Sequence, residues 1–117
     1  MEAKELRVFF RLRSENFYQR HHWSYRRRAI KKLAEVVKEA AKDAGVMPAW
    51  GKRRVSVMFV FPDARSRDKD NFAGKVLWDA LVRAGLLVDD SPECLEVGEV
   101  SFEKGKDFEI RLRIEDL

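Results

Sequence analysis

The chain has 117 residues, 45% hydrophobic and 38% charged, with 24 Lys and Arg against 20 Asp and Glu for a net charge of +4. That length suits a single domain spanning 1–117, and the apolar content can fill a core, which excludes a wholly disordered chain. No apolar run approaches the ~18 residues of a membrane span, and Met1 to Arg13 lacks the apolar stretch of a signal peptide. The single cysteine, Cys94, excludes a disulfide framework or a cysteine-built zinc site and points to a reducing, cytoplasmic compartment.

In chain order, Leu6 to Arg13 alternates apolar and basic residues, with Leu6, Val8, Phe10 and Leu12 on one face, and predicts a strand. Ser14 to Ser24 has no sustained period and reads as a loop. Tyr25 to Ala44 carries Ile30, Leu33, Ala34, Val37, Ala41 and Ala44 at three- and four-residue spacing, which predicts an amphipathic helix stopped by Gly45. Val55 to Phe61 is β-branched and aromatic and predicts a central strand, followed by a charged loop over Asp63 to Asp70. Asn71 to Ala84 predicts a second helix with Phe72, Val76, Leu77, Ala80, Leu81 and Ala84 inward, ended by Gly85. Leu95 to Phe102 and Phe108 to Ile114 predict a terminal hairpin about Lys104-Gly105-Lys106. The expected fold is α+β, a single domain in the order β-α-β-α-β-β with a mixed four-stranded sheet and two helices.

The net charge conceals an asymmetry. Residues 1–54 carry 15 Lys and Arg against 6 Asp and Glu, and residues 55–117 carry 9 against 14. A basic half suits a polyanion and an acidic half suits a cation; mutual neutralisation is the plainer explanation.

In an extended chain Asp68 and Asp70 face the same side, where two carboxylates repel unless a proton or cation lies between them. Mg²⁺ takes such oxygen ligands, although either Asp would equally serve as N-cap of the helix that follows. Asp89-Asp90-Ser91-Pro92 is a second acidic pair about twenty residues on, either a turn before Pro92 or a partner returning to the first pair. Lys75 stands four residues before Asp79, as a surface ion pair or as a cation reaching back to the carboxylates. Basic residues gather over Arg20 to Lys32, interleaved with Tyr18, Trp23 and Tyr25, which suit base stacking or packing beneath arginine stems. Arg26-Arg27-Arg28 has no acidic neighbour in sequence, which favours a polyanion there; Lys31 to Lys42 reads better as a solvated face. His21 and His22 read as exposed loop histidines and Cys94 as a small core residue. No phosphate-binding loop, serine elbow or dinucleotide fingerprint is present, so nucleotide hydrolysis and serine chemistry have no support.

Arg67-Asp68-Lys69-Asp70-Asn71, then Asp79-Ala80-Leu81, Ala84-Gly85 and Asp89-Asp90-Ser91, resemble in order and spacing the D-x-D-N and G-x-x-x-D-D signatures of the RusA family of Holliday-junction resolvases. Ser14-Glu15-Asn16 ahead of a basic helix is similar too. The resemblance implies a metal-dependent endodeoxyribonuclease that resolves four-way junctions in DNA recombination and repair by paired nicks. It implies Mg²⁺ or Mn²⁺ as cofactor and a homodimer. Asp68, Asp70 and Asp90 would be catalytic metal ligands with Asp89 beside them. Lys75 matches the family lysine with one extra residue between it and Asp70, and Lys69 is the second candidate cation. Asn16, Arg20, Arg26, Arg27, Arg28, Lys31, Arg67, Lys69 and Asn71 are the expected DNA-binding residues. The alternative is a non-catalytic nucleic-acid-binding module of the same fold.

Overall fold

A computed structural model describes residues 3–63, 65, 67, 68 and 71–117. The elements are β1 (Lys4–Val8), α1 (Glu15–Arg20), α2 (Trp23–Ala44), β2 (Arg53–Phe61), α3 (Lys75–Arg83), β3 (Leu95–Lys104) and β4 (Glu109–Asp116). The architecture is α+β with a mixed four-stranded sheet in the order β1-β4-β2-β3. Among the described residues, no helix is long and apolar enough to cross a membrane.

The helices lie on one face of this sheet, and both sides of that layer are apolar at the expected period. Leu33, Val37 and Ala41 of α2 and Val76, Leu77, Ala80 and Leu81 of α3 are buried with Leu6, Val55, Val57, Phe59, Ile110 and Leu112 of the strands. Gly45 closes α2 at φ 71, in the left-handed region that glycine enters without a Cβ penalty. On the other sheet face, Glu109 accepts from Arg7 at 2.5 Å and Arg111 at 2.9 Å, and Arg54 pairs with Glu96 and Glu115. At the amino end of β2 each nitrogen of the buried Arg53 guanidinium donates a hydrogen bond, to Asp116 Oδ1, the Leu86 carbonyl and the Met47 carbonyl.

Two expectations change. The segment from Ser14 to Ser24 contains a third helix, α1, capped by Ser14 Oγ accepting from the Phe17 N–H at 3.1 Å. At six residues it is too short to display a helical period. The terminal hairpin does not form: β4 pairs antiparallel with β2 and β1, and β3 pairs parallel with β2 on its other side. The chain instead crosses over the carboxyl end of β2, where the Gly105 N–H donates to the Phe61 carbonyl at 2.9 Å. Skipping one strand needs about 10 Å, and four residues reach that as readily as they make a hairpin loop.

Smaller differences follow the same elements. The first strand ends at Val8, although Leu12 remains buried. The helix expected from Asn71, α3, begins at Lys75, with Gly74 as its N-cap. Cys94 is half-buried rather than part of the core.

Candidate functional site

Because β1, β2 and β3 all run the same way, the segments leaving them gather at one end of the sheet. A cavity of about 320 Å³ opens there, with Phe61, Phe72, Phe17 and Phe108 among its walls and Arg11, Arg13, Arg65, Arg67, Asp68 and Asn71 around them. Arg11 lies over the Phe108 ring at 4.6 Å and Arg13 over the Phe17 ring at 4.9 Å. Neither arginine has a carboxylate partner among the described residues. Both escaped the sequence reading because Leu6 to Arg13 was explained by its strand alternation.

Arg67, expected on DNA, has its guanidinium engaged within the protein. It forks onto Asp63, Nη1 to Oδ1 at 2.8 Å and Nη2 to Oδ2 at 3.0 Å, and lies 3.7 Å above the Phe61 ring centre. These bonds, with the Arg65 backbone N–H, hold the Asp63 carboxyl well below the usual carboxylate range. This pair fixes the start of the loop that carries Asp68.

Asp68 is exposed and borders the cavity, and its backbone carbonyl accepts from the Asn71 N–H at 3.0 Å. Asp70 and Lys69 lie outside the described residues. From the second acidic pair, Asp90 reaches the first turn of α3: Lys75 Nζ donates to Asp90 Oδ2 at 3.1 Å and meets Asp79 Oδ1 at 3.3 Å. Asp90, first, and Asp79 raise the Lys75 pKa by stabilising its charged form. Asp90 is half-buried and Asp89 exposed beside it. Among the described residues no three His, Cys, Asp or Glu side chains are grouped closely enough to hold a metal ion.

Asp68 does not cap the third helix, since it precedes Lys75 by seven residues and the N-cap is Gly74, which offers no side chain. The cap comes from a distant residue that sequence reasoning missed. Glu15 Oε2 accepts from the Val76 N–H at 3.3 Å, while Glu15 Oε1 pairs with Arg26 at 3.2 Å. A carboxylate at a helix N-terminus is stabilising there because it meets unpaired N–H groups and the positive dipole end. Arg26 therefore does have an acidic partner, eleven residues away. Asn71 Oδ1 accepts from the Asn16 N–H at 3.2 Å, so these two expected DNA contacts join α1 to the loop before α3. Ser14-Glu15 stands in a segment that reads as a loop from sequence, and nothing local says where the Glu15 carboxylate goes.

The remaining expected cations, Arg20, Arg27, Arg28 and Lys31, are exposed. Arg27 lies 4.9 Å above the Trp23 ring and Arg28 4.9 Å above the Tyr25 ring. Tyr18, by contrast, is buried and accepts from the Arg13 N–H at 3.2 Å, which removes it from any stacking surface. Burial pushes its phenol pKa up. His21 donates through Nδ1 to the Phe17 carbonyl at 2.7 Å, and His22 Nδ1 accepts from the Ser24 N–H at 3.2 Å, capping α2.

The site thus combines a cation-lined cavity, an acidic loop and an acidic turn returning to the first turn of α3. No protein-family model matches the chain, and a search of curated proteins finds no match either.

Proposed function

We propose that the protein is a metal-dependent endodeoxyribonuclease acting on branched DNA, of the four-way-junction type. The observation that carries this reading is the contact of Lys75 with Asp90, which brings the acidic turn to the start of α3, just after the Asp68-x-Asp70-Asn71 stretch. Carboxylate oxygens are the donors Mg²⁺ and Mn²⁺ take, and Asp68, Asp70 and Asp90, with Asp89 adjacent, would hold the ion. When bound there, a divalent ion would supply charge to offset a scissile phosphate and would lower the pKa of a bound water.

The chain's own residues supply positioning and charge. Lys75 presents an ammonium beside Asp90 for the charge that develops on the phosphate. Glu15 and Asn71 fix the start of α3 against α1. Arg11, Arg13, Arg20, Arg27, Arg28 and Lys31 offer phosphate contacts, giving affinity that falls steeply with salt. A C2 homodimer matches a junction that needs two cuts, and a cytoplasmic location fits the single cysteine.

The test is Asp90→Asn on a synthetic four-way junction in Mg²⁺. Nicking should fall at least about a hundredfold, while junction binding in EDTA persists. Nicking at the wild-type rate overturns the assignment. The second reading, a non-catalytic DNA-binding module, is favoured by Lys75 already pairing with both Asp79 and Asp90. It predicts Mg²⁺-indifferent binding and no nicking with any divalent ion.

A further inference from the structure

The cavity and the basic helix are linked by a continuous series of ring and guanidinium contacts, stacked between Phe17 and His21 and edge-on between His21 and Tyr25. Arg13 lies over Phe17 at 4.9 Å, Phe17 stacks on His21 at 3.9 Å, His21 meets Tyr25 at 5.4 Å and Arg28 lies over Tyr25 at 4.9 Å. Arg13 and Phe17 also border the cavity that Asp68 borders. The strip therefore runs from α2 across α1 to the acidic loop. His21 and Arg28 are exposed and Tyr25 is 44% exposed, a large solvent-facing aromatic surface for a residue with no core duty. The hydrogen bond from His21 to the Phe17 carbonyl fixes the ring in its stacked orientation.

Three rings flanked at both ends by a guanidinium group present aromatic surface and positive charge together. Flat faces recognise bases only when those bases are out of a duplex; phosphates along the same strand answer the cations. A duplex would offer this strip its phosphates and leave the rings unused. We infer that the Arg13–Phe17–His21–Tyr25–Arg28 strip binds an unpaired DNA strand and leads it to the acidic loop at Asp68. This rests on the nuclease reading for the direction of travel and specifies the form of its substrate: a branch point with single-stranded character, not intact duplex.

The test measures fluorescence anisotropy of a labelled thymidylate dodecamer and of a duplex of equal length, at one salt concentration in EDTA. The single strand should bind more tightly than the duplex. Tyr25→Ala should weaken single-strand binding about tenfold, with duplex binding little changed. Tyr25→Phe, which keeps the ring, should bind the single strand like wild type. Lys38→Ala, which removes an exposed charge of α2 outside the strip, should also leave it unchanged. The inference is overturned if the duplex binds as tightly as the single strand, or if Tyr25→Ala binds the single strand like wild type. Because binding is read without a divalent ion, it stands or falls separately from the nicking assay on Asp90→Asn.

Discussion

Gly74 and Glu15 occupy complementary space: a Cβ on Gly74 would lie 2.6 Å from Glu15 Cγ and 2.9 Å from its Cδ. The glycine backbone is extended, at φ −132 and ψ −159, so the requirement is for room and not for an unusual conformation. The room lets the Glu15 carboxylate reach both the first turn of α3 and Arg26.

Gly74→Ala should therefore destabilise the fold by about 1–3 kcal/mol, the usual cost of overpacking. In a Glu15→Ala background, where the colliding atoms are gone, the same substitution should cost much less. Urea denaturation of the four proteins in this cycle checks it, and additive effects would refute the steric coupling.

Lys75→Met keeps an unbranched side chain one atom shorter and removes its charge. With the nuclease reading, the nicking rate should fall about a hundredfold, while junction binding in EDTA changes by less than about threefold, since one phosphate-scale charge is lost. Single-turnover rates at saturating Mg²⁺ separate these quantities.

Arg7, first, and Arg111 hold the Glu109 carboxyl below its ordinary value. A carboxylate with a depressed folded-state pKa stabilises the fold fully above its unfolded value, near pH ~4.3. That contribution is lost as pH falls through the lower folded-state value. Glu109→Gln should lower Tm at pH 7 and show a shallower acid decline, the two curves converging at the acid end. Calorimetric scans across the acid range check the sign.

At the crossover above β2, a Cβ on Gly105 would overlap Val60 Cγ1. Gly105→Ala should cost about 1–3 kcal/mol, and Val60→Ala in the same chain should recover part of it despite its own loss of packing. Chemical denaturation of both variants reads the recovery.

What was legible in the sequence was whatever depends on local repetition. The spacing of Leu33, Val37 and Ala41 and the stop at Gly45 define α2, and the β-branched and aromatic run from Val55 to Phe61 marks a central strand. Strand order was not legible, because the four residues after Lys104 suit a hairpin or a crossover equally. Nor was the pairing of Glu15 with Val76 and Arg26, which depends on how α1 docks rather than on spacing. The return of Asp90 to Lys75 lay between these cases: the intervening helix length permitted it, and only the path of residues 85–90 decides it.

β4 has a further consequence through its place between β1 and β2. Among the described residues it is the sole sheet neighbour of β1, and it joins Arg53 to Asp116 across the chain, so β1 has no hydrogen-bonded partner in this sheet until β4, last of the four in chain order, is available. Such distant pairings make closure slow relative to helix formation. During synthesis the apolar faces of α2 and β2 must therefore wait for residues 109–116, and a ribosome stalled before them leaves an incomplete sheet with unpaired edges, open to aggregation.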